Sequence, residues 1–174
     1  LIQRYEHNRL KAVVLLGQEA WSAFMSLGYF PKNILFFGSF VSSNGVLLPS
    51  DQAEIENHWE PRSLDYIRTL ESLGNGGGLF NKYDLDRNLD LIMTLYPGVE
   101  NIAFLSDNTY GGISLQALVK EEMKRYPELN LILVDSRDGE EQANRTIASL
   151  PAKSVILIGT WRQGSKGQYF TQSA

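Results

Sequence analysis

The sequence of 174 residues lacks cysteine altogether and contains only two histidines. Without cysteine the chain offers no disulfide bond, no thiolate metal ligand and no cysteine nucleophile. The histidines, His7 and His58, stand in polar stretches without a partner at metal-ligand or catalytic-triad spacing. We therefore expect neither a metal site nor a cofactor.

Basic charge and long apolar runs are also scarce. Sixteen lysines and arginines against twenty acidic residues give a net charge of −4, whereas nucleic-acid-binding domains usually carry a basic face. No apolar run approaches the ~20 residues of a membrane-spanning helix, and the start at Leu1 carries no signal-type segment. We expect a piece of a longer protein that reaches a membrane only through flanking segments.

The chain does contain a repeated unit, in which an amphipathic helix ends at a proline and a short apolar run follows. The prolines are Pro31, Pro97, Pro127 and Pro151, and the runs cover residues 34–37, 102–105, 131–134 and 155–158. Proline ends a helix, and strands that are apolar at every position are typical of parallel sheets buried on both faces. With a further strand at 13–16, this alternation predicts a three-layer α/β/α fold with a mostly parallel sheet. Asp138 and Glu141 match a capping box at the start of one of these helices.

Glycine is concentrated at residues 74–78. A dinucleotide fingerprint follows a strand and opens a helix, whereas this tract follows a predicted helix over 63–72 and precedes a short strand. We interpret it as a flexible turn near the junction of two lobes. Residues 1–80 then belong to the first lobe and residues 81–174 to the second.

Small and polar residues follow each predicted strand, at the edge where open parallel sheets bind their ligands. Helices that begin there present free N–H groups, and Tyr110 and Trp161 offer flat apolar contact. No nucleophile–base pair and no paired carboxylates stand among them, so binding is favoured over catalysis. The predicted ligand-binding residues are Gly17, Gln18, Glu19, Gly38, Ser39, Phe40, Asp107, Asn108, Thr109, Tyr110, Asp135, Arg137, Thr160, Trp161 and Arg162.

Residues 13–20 and 31–39 resemble the first lobe of periplasmic binding proteins of the ABC-transporter type, with the type 1 fold. Residues 89–102 look like the crossover helix and the opening strand of the second lobe. The stretch 106–114 is similar to versions fused outside the membrane in hybrid two-component sensor histidine kinases, and 115–123 and 159–162 add to that likeness. The resemblance implies a two-lobed clamp with its ligand between the lobes, whose closure is passed to a membrane-attached module. Family members are longer, so the resemblance implies a fragment.

Three functions are compatible with these residues. The first is a periplasmic, non-enzymatic sensor domain of a histidine kinase that binds a small molecule in signal transduction. The second is the substrate-binding component of an ABC importer. The third is a small α/β enzyme that uses Asp107 or Asp135 as its acid. In each case we expect no nucleic-acid partner, and a homodimer is a further expectation because an exposed sheet edge invites pairing.

Overall fold

The computed structural model describes residues 10–27, 30–45 and 74–169 of a chain that divides into two compact units, Leu1–Tyr83 and Asp84–Ala174. Each unit contains a three-stranded sheet in which neighbouring strands are parallel, so the predicted α/β class is confirmed. That the units are the two lobes of a clamp stays a prediction. His7, His58 and the helix predicted at 63–72 lie outside the described residues. None of the described helices combines the length and the apolar character that crossing a membrane requires.

Unit 1 consists, in the part described, of a sheet and one helix. In chain order the elements are β1 (Ala12–Leu16), α1 (Gln18–Met25), β2 (Leu35–Ser42) and β3 (Gly76–Asn81), and the strand order is β1-β2-β3. Helix α1 buries Trp21 and Phe24 against one face of this sheet. The Trp21 ring lies 5.7 Å from that of Phe80, and the Phe24 ring lies 4.5 Å from that of Phe36. These aromatic contacts are part of the described core of unit 1, together with Ile34 and Val41.

The opposite face of the unit 1 sheet is apolar and exposed. Val14 pairs with Phe37 across the sheet, and these side chains are 62% and 43% exposed. Leu16 and Leu79 lie one row further on and are exposed as well. The expectation that every strand is buried on both faces is wrong for residues 155–158 of unit 2, where Ile156 and Ile158 are exposed, and it is wrong for the sheet of unit 1. Only α1 is described on this sheet, and one helix covers one face.

Residues 76–78 of the glycine tract belong to a strand rather than to a flexible turn, which corrects the prediction for that part of 74–78, whereas Gly74 and Asn75 form a bend before the strand. Gly76 opens β3, and a Cβ atom on Gly78 would lie only 2.1 Å from the carbonyl oxygen of Gly38 in the neighbouring strand. A Cβ atom on Gly38 would in turn lie 2.6 Å from the ring of Trp21. The glycines therefore let two strands and the indole ring approach closely.

Unit 2 has helices on both faces of its sheet. Its elements are α2 (Leu85–Leu95), β4 (Asn101–Ser106), α3 (Tyr110–Met123), β5 (Asn130–Asp135), α4 (Glu140–Ala148) and β6 (Ser154–Thr160), with strand order β5-β4-β6. Phe104 of β4 packs with α2 and α3, whereas Ala103 packs with Ala143 of α4. Because neighbouring residues of a strand point to opposite faces, unit 2 is a three-layer α/β/α arrangement, as predicted.

A short 3₁₀ helix, Ser136–Asp138, separates β5 from α4. The side chain of Asp135 caps this turn by accepting a hydrogen bond from the backbone N–H of Arg137. Helix α4 then begins after Gly139, which has a φ of 86° and provides no side-chain cap. The predicted capping box of Asp138 and Glu141 is therefore wrong, because Asp138 already belongs to the preceding turn.

Candidate functional site

The carboxyl ends of the strands form one edge of each sheet, which we call its carboxyl edge. In unit 1 the chain leaves β1 at Gly17, whose N–H donates to the carbonyl of Ser39 over 2.9 Å. The side chain of Gln18 then bridges to the end of β2. Its Oε1 accepts from the N–H of Ser42 at 2.8 Å, and its Nε2 donates to the carbonyl of Gly45 at 3.1 Å. Glu19, in the first turn of α1, is exposed.

Gly38, Ser39 and Phe40 lie inside β2 rather than after it, which corrects the prediction that they form a loop. The ladder with β3 slips between Ser39 and Val41, so Phe40 is an extra residue in a β-bulge. Its φ is 57°, a left-handed conformation that is uncommon for a bulky side chain, and the residue is 75% exposed. Gly38 is buried and Ser39 is half-buried, so Phe40 is the residue of the three that presents a large surface to solvent.

In unit 2, Asp107 directly follows β4 and is 0% exposed. One carboxylate oxygen, Oδ1, accepts hydrogen bonds from the hydroxyl and the N–H of Thr109, at 2.6 and 3.1 Å. The other, Oδ2, accepts from the N–H groups of Arg162 and Gln163, at 2.5 and 3.3 Å, and the Thr160 hydroxyl lies 3.4 Å away. Asp107 therefore fastens the loop after β4 to the loop after β6.

These hydrogen bonds also set the charge of Asp107. Burial by itself raises the pKa of the carboxyl group, because it disfavours the ionised form. The hydrogen bonds from Thr109, Arg162 and Gln163 favour the carboxylate and outweigh burial, so the pKa lies below its ordinary value. Asp107 is thus ionised at neutral pH, and both of its oxygens already have partners.

A second buried polar cluster joins β4, α3 and β5. The Nε2 of Gln116 donates to the Ser106 hydroxyl at 2.7 Å and to Oδ2 of Asp135 at 2.8 Å. The guanidinium of Arg137 contacts the same oxygen, with its Nε at 2.6 Å. The sequence prediction included Asp135 and Arg137 but missed Gln116. Its position within the apolar stripe of α3, beside Ile113 and Ala117, is the signal that could have identified it.

The loop between β4 and α3 holds the remaining predicted residues of that segment. Thr109 is the N-cap of α3, and its hydroxyl accepts from the N–H of Gly112 at 3.1 Å. The N–H of Asn108 donates to the Ser136 hydroxyl at 2.9 Å, whereas its Oδ1 is buried without a hydrogen-bond partner in the described structure. Tyr110 is the first residue of α3 and is partly buried.

The end of β6 completes this edge. Thr160 is its last residue, Trp161 is partly buried, and Arg162 is exposed. Trp161 packs at the rim of the apolar cluster beneath α4 and lines a cavity of about 300 Å³. The structure thus gathers the predicted residues of each unit at the carboxyl half of that unit's own sheet.

Two carboxylates are buried among the described residues. Both buried carboxylates, those of Asp107 and Asp135, are engaged by protein donors. Within residues 10–27, 30–45 and 74–169 no group of three histidine, aspartate or glutamate side chains is placed to hold a metal ion. Comparisons with family models, with curated proteins and with solved structures gave no match to this chain.

Proposed function

We propose that this chain is the small-molecule-sensing part of a two-component sensor histidine kinase, located in the periplasm. The observation that carries the proposal is the carboxyl edge of the unit 2 sheet. There, buried hydrogen bonds centred on Asp107 fix loops that carry Asn108, Tyr110 and Trp161. A rigid edge that presents aromatic and amide groups suits ligand recognition, because little conformational entropy is lost on binding.

A catalytic role has less support from the same groups. The enzyme hypothesis requires Asp107 or Asp135 to donate or accept a proton during a reaction. Asp107 is fully buried and accepts several hydrogen bonds, and Asp135 is bound by Gln116 and Arg137. A general acid or base must reach the proton that it transfers. In the proposed function both aspartates stabilise the loops around them.

The sensor assignment itself rests on the resemblance of residues 13–20, 31–39 and 106–114 to periplasmic binding proteins and to the extracytoplasmic domains of hybrid sensor kinases. In that role the ligand has to bind one conformation of the protein more tightly than the other. Equal affinity for both conformations would transmit no signal, however tight the binding.

The test is a thermal-shift screen of the intact chain against sugars, amino acids and small anions. A ligand present at about 100 times its Kd stabilises the folded state by about 2.7 kcal/mol, which corresponds to several degrees in Tm. We expect Tyr110→Ala to abolish the shift. Tyr96→Ala, which removes a 60% exposed tyrosine at the end of α2, is the matched control and should retain it. The proposal fails if no compound raises Tm, or if both variants respond alike.

A further inference from the structure

The cavity beside Trp161 lies entirely within unit 2. Its floor is Leu105 of β4, and α4 forms one wall with Ala143, Asn144 and Ile147. Glu140 and Trp161 complete the lining. A volume of about 300 Å³ is at the lower end of the range for small-molecule sites.

The apolar floor of this cavity continues onto β6. Ile158 pairs with Leu105, and Ile156 pairs with Ala103, so these side chains share the sheet face that α4 covers. Ile158 is 66% exposed and Ile156 is 41% exposed. Helix α4 packs against β5, and the exposure of Ile156 and Ile158 indicates that no described element covers the β6 side of this face. The cavity is therefore a groove with one open, apolar flank that a ligand can enter.

The loop after Trp161 fixes the polar end of this groove. The Nε2 of Gln168 donates to Oε1 of Glu140 at 3.2 Å, and the N–H of Gly164 donates to the carbonyl of Gln168 at 2.9 Å. A Cβ atom on Gly164 would lie 2.4 Å from Gln168 and 3.0 Å from Glu140, so the loop packs closely over the start of α4. Glu140 is thus held at the groove by a hydrogen bond.

The lining selects the charge of a ligand. Among the described residues that line the groove, Glu140 is the one ionisable residue, and none of them is a lysine or an arginine. A carboxylate accepts hydrogen bonds and repels anions, and the face of an indole ring attracts cations. Leu105, Ala143 and Ile147 favour an apolar group. Together these features favour a cation that carries an apolar group.

We infer that this groove, lined by Trp161, Glu140 and the apolar face of α4, binds small organic ammonium ions that carry an apolar body. The inference rests on the proposed ligand-binding function and names the ligand class for unit 2. The apolar body lies on Leu105, Ala143 and Ile147, and the ammonium group lies between Glu140 and the indole ring of Trp161.

The experiment uses the intact chain and isothermal titration calorimetry with compounds that share one ring. The probes are 2-phenylethylammonium, the neutral 2-phenylethanol and the anionic 3-phenylpropionate, with methylammonium as the head group alone. We expect the phenylethylammonium ion to bind at least about tenfold more tightly than either ring analogue, because the carboxylate and the indole ring both favour a cation. Methylammonium should bind too weakly to measure.

Matched variants locate the site. Glu140→Gln should weaken phenylethylammonium binding by about fivefold, and Trp161→Phe should weaken it by several-fold while keeping an aromatic ring. Glu141→Gln is the control, because the neighbouring carboxylate is 91% exposed and lies 3.5 Å from Arg145. It should leave the affinity unchanged. Far-ultraviolet circular dichroism and Tm of each variant verify that the fold is retained.

Three results would overturn the inference. They are equal binding of the ammonium and carboxylate probes, equal effects of Glu140→Gln and Glu141→Gln, and insensitivity to Trp161→Phe. The proposed function has a separate readout, since it depends on Tyr110→Ala in the broader screen. Tyr110-dependent binding of a sugar with no ammonium binding would remove this inference alone. Ammonium binding that is sensitive to Glu140 and insensitive to Tyr110 would support it and remove the role assigned to the loop after β4.

Discussion

The two units fasten the carboxyl edges of their sheets with different chemistry. In unit 1 the neutral side-chain amide of Gln18, which follows β1, forms hydrogen bonds with the backbone of Ser42 and Gly45 at the end of β2. In unit 2 the buried carboxylate of Asp107 bridges from the end of β4 to Arg162 and Gln163. Each bridging side chain closely follows the first strand of its unit. A side chain thus links two segments at the carboxyl edge of each sheet, and this side chain is neutral in unit 1 and charged in unit 2.

The sheets differ in coverage as well. The central strand of unit 2, β4, carries Phe104 at 1% exposure beneath two helices. The central strand of unit 1, β2, carries Phe37 at 43% exposure on a face without a described helix. Two parallel sheets of the same size therefore differ in how much of their stability each face contributes. Matched substitutions should therefore change the stability of the two units by different amounts, and the largest expected difference comes first.

The largest difference should follow truncation of the central phenylalanines. Phe104→Ala should lower the free energy of unfolding by about 3–5 kcal/mol, because it leaves a cavity in a closed core. Phe37→Ala should cost less than about 1.5 kcal/mol, because that ring is already partly in water. Urea denaturation measures the loss, and hydrogen exchange assigns it to a unit. Similar losses in both variants would show that the face carrying Phe37 is covered in solution.

A smaller effect should follow removal of the charge from the bridging side chain of unit 2, Asp107. Asp107→Asn should lower the free energy of unfolding by about 2 kcal/mol at neutral pH. The reason is that an amide NH₂ group, which cannot accept a hydrogen bond, then faces N–H groups that donate to the carboxylate. The folded-state pKa of Asp107 lies below the unfolded value of about 4. Its stabilisation is therefore complete above that pH and is lost as the pH falls through the folded pKa.

The pH dependence can be followed by amide NMR signals. The N–H groups of Arg162 and Gln163 should shift together when the Asp107 carboxylate is protonated, and this transition should be absent from Asp107→Asn. The N–H of Ser42, which donates to Gln18, serves as the control because an amide does not titrate. An equal acid transition at Ser42 would contradict the contrast between the two bridges.

The smallest effects should come from backbone strain, which the units share. Phe40 in unit 1 and Lys153 in unit 2 have φ values of 57° and 61°. Glycine adopts this conformation without the penalty of about 1 kcal/mol that a Cβ atom brings. At each position the glycine variant should therefore be more stable than the alanine variant by about 1 kcal/mol. Thermal denaturation compares the pairs, and a more stable alanine variant at either site would contradict this expectation.

The sequence predicted the regular part of the fold well, because the relevant signals are local. The apolar runs at 102–105, 131–134 and 155–158 lie within β4, β5 and β6. The prediction of a turn over 74–78 was wrong for residues 76–78, which belong to β3, and there Gly78 is required by a tertiary contact. Gly78 approaches Gly38, and Gly38 supports Trp21, which is a relation among three segments. A local pattern does not contain that information.

The places of the candidate residues in the fold were partly predictable, whereas their contacts were not. Most of the predicted residues lie at or after the carboxyl end of a strand, because parallel strands end at one edge, whereas Gly38, Ser39 and Phe40 lie inside β2. The role of Asp107 was not predicted, because the Arg162 N–H that donates a hydrogen bond to it lies 55 residues away in the sequence. Gln116 was missed because one polar residue in an apolar stripe does not reveal its partners, Ser106 and Asp135.

The bulge at Phe40 has a consequence for how this edge of unit 1 can change over evolution. Alternate residues of a strand point to opposite faces, and the extra residue reverses which positions face the core beyond it. Before it the core-facing positions are even-numbered, Phe36 and Gly38, and after it Val41 faces the core. Loss of Phe40 would leave Phe36, Gly38 and Val41 in one continuous phase. A lineage can therefore gain or lose the exposed ring through a single codon insertion or deletion, without rebuilding the core beneath it.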